Sequence, residues 1–263
     1  MRVTTRLKMA FLAAAVTLGS LGPTSAATLD IDGVTGAWTG LLPRSGPTNV
    51  NGIGTETVRW GTPYAGLGGT GEQSGYNFTG SAVGTFESGV DFDLGTFTHF
   101  NKVINDRTSI TGANLGLAVS IAIGGVSQAI TAAFRFDHWE TRNDGVGGGR
   151  CQDGGMLGVG VNSEGCADRV RVLRNEGSVN QFAIDGVMYA LEITGFLVAG
   201  QAFSEFWTQE QANNTAVLQA RFTEIGGTPP DPIPSPVPLP ASGWLILSAL
   251  AAMAFVGRKR ATV

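Results

Sequence analysis

Apolar residues recur at every second position through much of this chain, with polar residues between them. Ile130, Ala132, Phe134 and Phe136 alternate with Thr131, Arg135 and Asp137. Leu115, Leu117, Val119, Ile121 and Ile123 keep the same period and stop at Gly124-Gly125. Val187, Tyr189, Leu191 and Ile193 oppose Glu192, while Ala216, Leu218, Ala220 and Phe222 oppose Gln219, Arg221 and Thr223. A period of two puts one set of side chains on one face of an extended strand, so these segments predict half-buried β-strands. Further strands are expected at 36–41, 57–60, 75–79 and 92–100. No long stretch carries the 3.6-residue period of an amphipathic helix, and the best helical candidate is 203–213. Evenly spaced amphipathic strands with glycine turns predict an all-β fold, an antiparallel β-sandwich of jelly-roll-like form. Helices are too few for βαβ units.

Both ends of the chain break this pattern. Arg2, Arg6 and Lys8 precede an apolar run over 9–21, followed by Pro23 and Thr24-Ser25-Ala26-Ala27. A basic start, a short apolar run and small residues at the exit predict a signal peptide over 1–27, cleaved after Ala26 or Ala27. The β-domain then occupies 28–226. Prolines at 229, 230, 232, 234, 236, 238 and 240 make 227–240 a stiff, extended linker. Beyond it, 241–263 reads as a transmembrane helix with a basic tail. The 17 residues of 241–257 span roughly 25 Å as a helix, at the short end of what crosses a bilayer. Arg258, Lys259 and Arg260 favour a cytoplasmic terminus, which leaves Val237-Pro238-Leu239-Pro240-Ala241 at the outer face.

The order of that tail (proline motif, short apolar helix, basic stop, chain end) resembles the PEP-CTERM class of sorting signals in its Val-Pro-Leu-Pro-Ala variant. The resemblance implies an exosortase-type membrane enzyme that processes the tail and passes the protein to the cell surface or beyond. Val237, Pro238, Leu239, Pro240 and Ala241 would then be the sorting motif, and Arg258, Lys259 and Arg260 the stop. An ordinary single-pass anchor that is never cut is the alternative.

Within the domain, one block comprises Asn51-Gly52-Ile53-Gly54-Thr55, Val58-Arg59-Trp60-Gly61 and Ser74-Gly75-Tyr76-Asn77-Phe78-Thr79-Gly80. A second runs Phe92-Asp93-Leu94-Gly95-Thr96-Phe97-Thr98-His99-Phe100-Asn101. Together they resemble the THxN family of PEP-CTERM proteins, related to the choice-of-anchor K domains. Its signature falls on Thr98, His99 and Asn101. The resemblance implies a secreted, surface-directed β-domain and brings no reaction or ligand with it.

Charge narrows the partners. Residues 28–226 hold 11 Lys and Arg against 20 Asp and Glu, a net charge of −9. Phosphate binding needs clustered cations, so nucleic acids and anionic lipids are disfavoured as partners. An acidic surface suits solubility outside the cell and leaves room for divalent cations.

Cys151 and Cys166 are the only cysteines, 15 apart in a chain read as exported, and a disulfide is expected. Around them Glu140, Asn143, Asp144, Asp153, Asn162, Glu164 and Asp168 crowd a glycine-rich stretch. Oxygen side chains on glycine turns suit Ca²⁺ coordination, with Asp144, Asp153, Glu164 and Asp168 as the candidate ligands. A plain solvated loop has the same composition. No other cofactor is called for. His99 has two readings: a histidine that hydrogen-bonds backbone and fixes a turn, or a ligand or metal contact. Only one other histidine, His138, could support the second. Trp38, Trp60, Trp139 and Trp207 could stack on a sugar ring or fill the core.

Enzyme motifs are mostly missing: no His-Glu-x-x-His, Gly-x-Ser-x-Gly or P-loop occurs. Gly66 to Gly71 matches G-x-G-x-x-G, but no βαβ unit surrounds it. Asp91 with Asp93, or Asp137 with Glu140, are formal glycosidase pairs, and no catalytic residue is assigned. The expectation is a non-enzymatic cell-surface or extracellular-matrix protein, associated with exopolysaccharide or biofilm. The membrane would hold it through the C-terminal helix before processing. A β-sandwich glycan hydrolase or a Ca²⁺-dependent carbohydrate-binding module is the alternative.

Overall fold

The computed structural model describes residues 27–226, apart from 47, 65, 67, 68, 124, 174–179 and 185. The signal peptide, the proline linker, the sorting motif (237–241) and the basic stop (258–260) lie outside the described residues. No helix among the described residues is long and apolar enough to cross a membrane.

The described chain is built from β-strands, with two 3₁₀ turns and no α-helix. In order they are β1 (Thr28–Pro43), β2 (Val50–Asn51), β3 (Thr57–Trp60), β4 (Ser74–Gly80), β5 (Gly84–Glu87), β6 (Phe92–Phe100) and β7 (Ile110–Ile123). There follow β8 (Val126–Trp139), β9 (Asp168–Leu173), β10 (Gln181–Ile184), β11 (Val187–Val198), β12 (Gln201–Phe203), β13 (Glu205–Thr208) and β14 (Asn213–Glu224). Six strands form one sheet in the order β13-β9-β8-β7-β1-β5. The other eight-stranded sheet runs β10-β11-β14-β6-β4-β3-β2, with β12 paired onto β11. The named strand pairs are antiparallel, and the two sheets share one core in a sandwich-like arrangement.

The alternating segments do form strands with their apolar face inward. Trp38 and Phe136 of one sheet meet Tyr76 and Phe97 of the other, and the Phe97 and Phe136 rings stack at 5.5 Å. Gly36 lets Phe78 of the facing sheet pack against β1, because a Cβ there would enter the Phe78 ring.

The 203–213 segment is not a helix. Phe203, Phe206 and Trp207 satisfy a helical spacing, yet the chain passes through β12, crosses sheets at Ser204 and forms β13. Pairing with β9 turns Phe206 and Thr208 inward and Glu205 and Trp207 outward. Aromatic and β-branched residues favour that extended choice.

Two bulges shift the phase of strands that began on the other register. In β1 the register breaks between Ile31 and Gly33, so the buried set moves from Leu29 and Ile31 to Val34 and Trp38. In β6 the break against β14 moves burial from Phe92 and Leu94 to Phe97 and His99. An added residue rotates everything downstream by one face. That second bulge aims His99 between the sheets.

Candidate functional site

At the end of the core where β6 and β8 finish, the filling between the sheets turns polar. Tyr76 from β4, His99 from β6, His138 from β8 and Asp168 from β9 point inward there. Asn101, Glu140 and Glu210 lie just past the ends of β6, β8 and β13. All seven are buried, and Asp168 and Glu210 are at most 1% exposed.

The hydrogen bonds define the protonation pattern. Thr208 Oγ1 donates to the Asp168 carbonyl at 3.0 Å and lies 2.8 Å from His99 Nδ1. A hydroxyl has one hydrogen, so toward His99 this oxygen accepts, and Nδ1 carries the proton. His99 Nε2 is then a bare lone pair, buried and without a hydrogen-bond partner. Burial, and secondarily the neighbouring His138, hold the His99 imidazole well below its usual range, so it is neutral. His138 differs. Its Nε2 lies 3.3 Å from Glu140 Oε2 and its Nδ1 lies 2.7 Å from the Tyr76 hydroxyl. Donation from Nε2–H to Glu140 and acceptance at Nδ1 from the Tyr76 hydroxyl satisfy both contacts.

The carboxylates are crowded. Glu140, Asp168 and Glu210 each place an oxygen within 4.8 Å of the others, as do His99, His138 and Asp168 with their ligating atoms. Asp168 Oδ1 accepts the Thr141 N–H at 2.7 Å, while Oδ2 has no partner. Burial pushes Asp168 well above the usual carboxylate range, and the Glu140 and Glu210 charges add to the rise. Glu210 is pushed up to about 8 by burial and by Glu140. Asn101, Asn143 and Asp168 face it and offset part of that rise, yet no well-formed hydrogen bond closes on either Glu210 oxygen. Asn101 Oδ1 is likewise unpartnered, while its Nδ2 donates to the Thr208 carbonyl at 3.1 Å. A surface depression of about 450 Å³, lined by Ile104, Glu140, Thr141, Arg142, Asn143 and Asp144, leads to Glu140.

The disulfide forms between Cys151 and Cys166, with Cα atoms 5.3 Å apart. It borders the cluster, since Thr141 Oγ1 donates to the Cys166 carbonyl at 3.0 Å. Gly165, at φ 137°, leaves room where a Cβ would sit 2.9 Å from Asn143 Oδ1 and 3.0 Å from Glu210 Cγ.

Of the four loop candidates for calcium, only Asp168 joins these groups. Asp144 is exposed and paired with Arg142 at 2.9 Å, and Glu164 is exposed. Asp153 accepts the Gly155 N–H and the Asn162 amide, both at 2.9 Å, and so shapes the loop itself. Thr98 faces outward against Thr215, whereas His99 and Asn101 both grip Thr208 inside. His99 thus bonds a side chain in the core and not a turn of backbone.

Of the formal glycosidase pairs, Asp137 and Glu140 point to opposite faces, whereas Asp91 and Asp93 share one exposed face and border the same open depression. Asp137 bonds Arg171 at 3.1 Å on the outer face, while Glu140 turns inward. Asp91 binds Arg221 at 2.8 Å, and Asp93 takes a hydrogen bond from Gln219 at 3.3 Å, both on exposed positions. Glu210 and Thr208 were hidden from sequence reasoning inside the apparent helix. The chain matches no protein-family model and no curated protein.

Proposed function

We propose that this chain is an exported, non-enzymatic cell-surface or matrix protein, sorted through its C-terminal tail by an exosortase-type system and associated with extracellular polysaccharide. The sorting half rests on the PEP-CTERM-like order of motif, apolar segment and basic stop, and the disulfide is compatible with export. Repeated crossing of the chain between sheets, as at β4 to β5 to β6 and β12 to β13 to β14, supports the jelly-roll-like reading.

One observation carries the polysaccharide half. On the outer face of β8, β9 and β13, Trp139, Arg169 and Trp207 form one cross-strand row. Asp137, Arg171 and Glu205 form the next. The Trp rings lie 6.2 Å apart, with the Arg169 guanidinium 4.9 Å over Trp139. Trp139 is 39% exposed, whereas Trp38 and Trp60 are fully buried in the core. Two aromatic rings inclined at 54° beside ionised donors and acceptors suit a sugar ring, which offers C–H faces and hydroxyl edges.

Intact-mass spectrometry of protein from its own host, cell-bound and released, tests the sorting. A mass lacking the signal peptide and everything past 237–241 is expected, and retention of Trp244 to Val263 would refute it. Affinity electrophoresis through the host's exopolysaccharide tests the face. The wild type should be retarded, and the Trp139→Ala, Trp207→Ala double variant should run freely. Equal retardation of both would refute the platform.

A further inference from the structure

We infer that the polar end of the core holds one oxygen-preferring divalent cation, with Glu140, Asp168 and Glu210 as its carboxylate ligands. This site is separate from the outer Trp face and does not depend on it.

The geometry carries the inference in three ways. First, the three carboxylates each bring an oxygen within 4.8 Å of the others. Ligands at about 2.1–2.5 Å from one ion stand at most about 5 Å apart across it, so a single ion fits with no movement of strands. Second, the vacant valences are not all acidic. Asn101 is fully buried, tethered by Nδ2 to the Thr208 carbonyl, and leaves Oδ1 unpartnered. His99 is fully buried, has a ring nitrogen within 4.8 Å of an Asp168 oxygen, and leaves Nε2 unpartnered. Buried polar atoms in folded proteins are almost always paired, so several orphans in one place mark a missing partner. The carboxylate oxygens, Asn101 Oδ1 and His99 Nε2 are acceptors, and a cation satisfies acceptors together; the Trp60 Nε1–H, on the ring stacked over His99, is the one unpartnered donor of the neighbourhood among the described residues.

Third, the ligands are held from behind. The Thr141 N–H fixes Asp168 through Oδ1, leaving Oδ2 free. His138 orients Glu140, and Tyr76 in turn orients His138. Thr208 fixes the His99 ring with its lone pair inward. Outer partners of this kind set ligand direction in metal sites. The depression bordered by Glu140 and Asn143 supplies the access path. Three carboxylates form a hard donor set, which selects Ca²⁺ or Mn²⁺ over Zn²⁺.

The test uses the full-length chain, stripped with EDTA and titrated separately with CaCl₂, MnCl₂ and ZnCl₂ by calorimetry and thermal melting. Expected is one equivalent of Ca²⁺ or Mn²⁺, with a rise in Tm. Glu210→Gln should weaken binding at least tenfold and abolish the rise. The same variant should melt no lower than wild type in EDTA, because it removes a charge from a crowded site, and this separates lost ligation from misfolding. Asp144→Asn with Asp153→Asn should bind as wild type does. The inference is overturned if neither Ca²⁺ nor Mn²⁺ binds, in which case the carboxyls share protons instead. It is equally overturned if the Asp144/Asp153 variant loses binding, or if only Zn²⁺ binds and Glu210→Gln leaves it unchanged.

Discussion

Thr208→Val removes one oxygen from the centre of the polar end and changes little else. Valine keeps the shape and the β-propensity of threonine, so β13 should still pair with β9. The loss is two hydrogen bonds: from the Thr208 hydroxyl to the Asp168 carbonyl at 3.0 Å, and from His99 Nδ1 to that hydroxyl at 2.8 Å. The first is an ordinary hydrogen bond, which contributes about 0.5–1.5 kcal/mol. The second leaves a buried N–H with no partner, which costs about 1–3 kcal/mol. Thr208 and His99 are fully buried, so water does not replace the lost bonds. The expected destabilisation is therefore about 2–4 kcal/mol, or about 5–15 °C in Tm at roughly 2–4 °C per kcal/mol for a domain this large. Urea unfolding followed by far-ultraviolet circular dichroism measures the first quantity, and a thermal scan the second. Long-range ¹H–¹⁵N correlation spectra report the His99 tautomer directly. A loss below about 0.5 kcal/mol would refute the reasoning, as would a wild-type His99 protonated on Nε2, because both follow from the single hydroxyl hydrogen.

Three further outcomes follow from the packing. Cys151→Ala with Cys166→Ala opens a loop of sequence separation 15, which should cost about 3 kcal/mol, with a larger urea m-value because the unfolded chain expands. Gly165→Ala forces a Cβ against Asn143 and Glu210 at a φ of 137°, and should cost about 2 kcal/mol in a urea titration while lowering cation affinity. Phe136→Ala removes a fully buried ring stacked on Phe97 at 5.5 Å and should cost about 3–5 kcal/mol in the same titration.

The long alternating strands were legible because period-two patterning is local, and residues 187–193 or 216–223 need no partner to be read. What escaped depends on partners. β9 carries Asp168 on its buried face, so its alternation of Asp168, Val170 and Val172 against Arg169 and Arg171 begins with the wrong kind of residue. β13 has four residues and mimics a helix until β9 is beside it. The start of β1 hides behind the phase break after Ile31, which reads as a loss of pattern although the strand continues. The disulfide was legible from count and spacing. The cluster was not, because Glu140, Asp168 and Glu210 are brought together by strand order, and nothing in their separate contexts marks them as buried. Asp168 was singled out as a calcium ligand, but with loop neighbours, since proximity in sequence was the only proximity visible.

The placement of these acids is itself informative. Elsewhere the space between the sheets is filled by Phe97, Phe136, Phe196, Phe206 and Leu218, so this sequence can close a sandwich with hydrocarbon. Taking a carboxylate out of water costs several kcal/mol even after relaxation, and three together repel one another as well. Stability alone therefore gives no reason to end the core this way. The surrounding parts nevertheless converge on keeping that end open and rigid. The β6 bulge turns His99 inward, Gly165 withholds a side chain from the gap, and the disulfide closes the loop that ends beside it at Cys166. On β8, β9 and β13, the residues before or after Trp139, Arg169 and Trp207 are His138, Asp168 and Thr208, which face the opposite way. Strand alternation thus makes the outer aromatic row and the inner ligand cluster two faces of the same three strands.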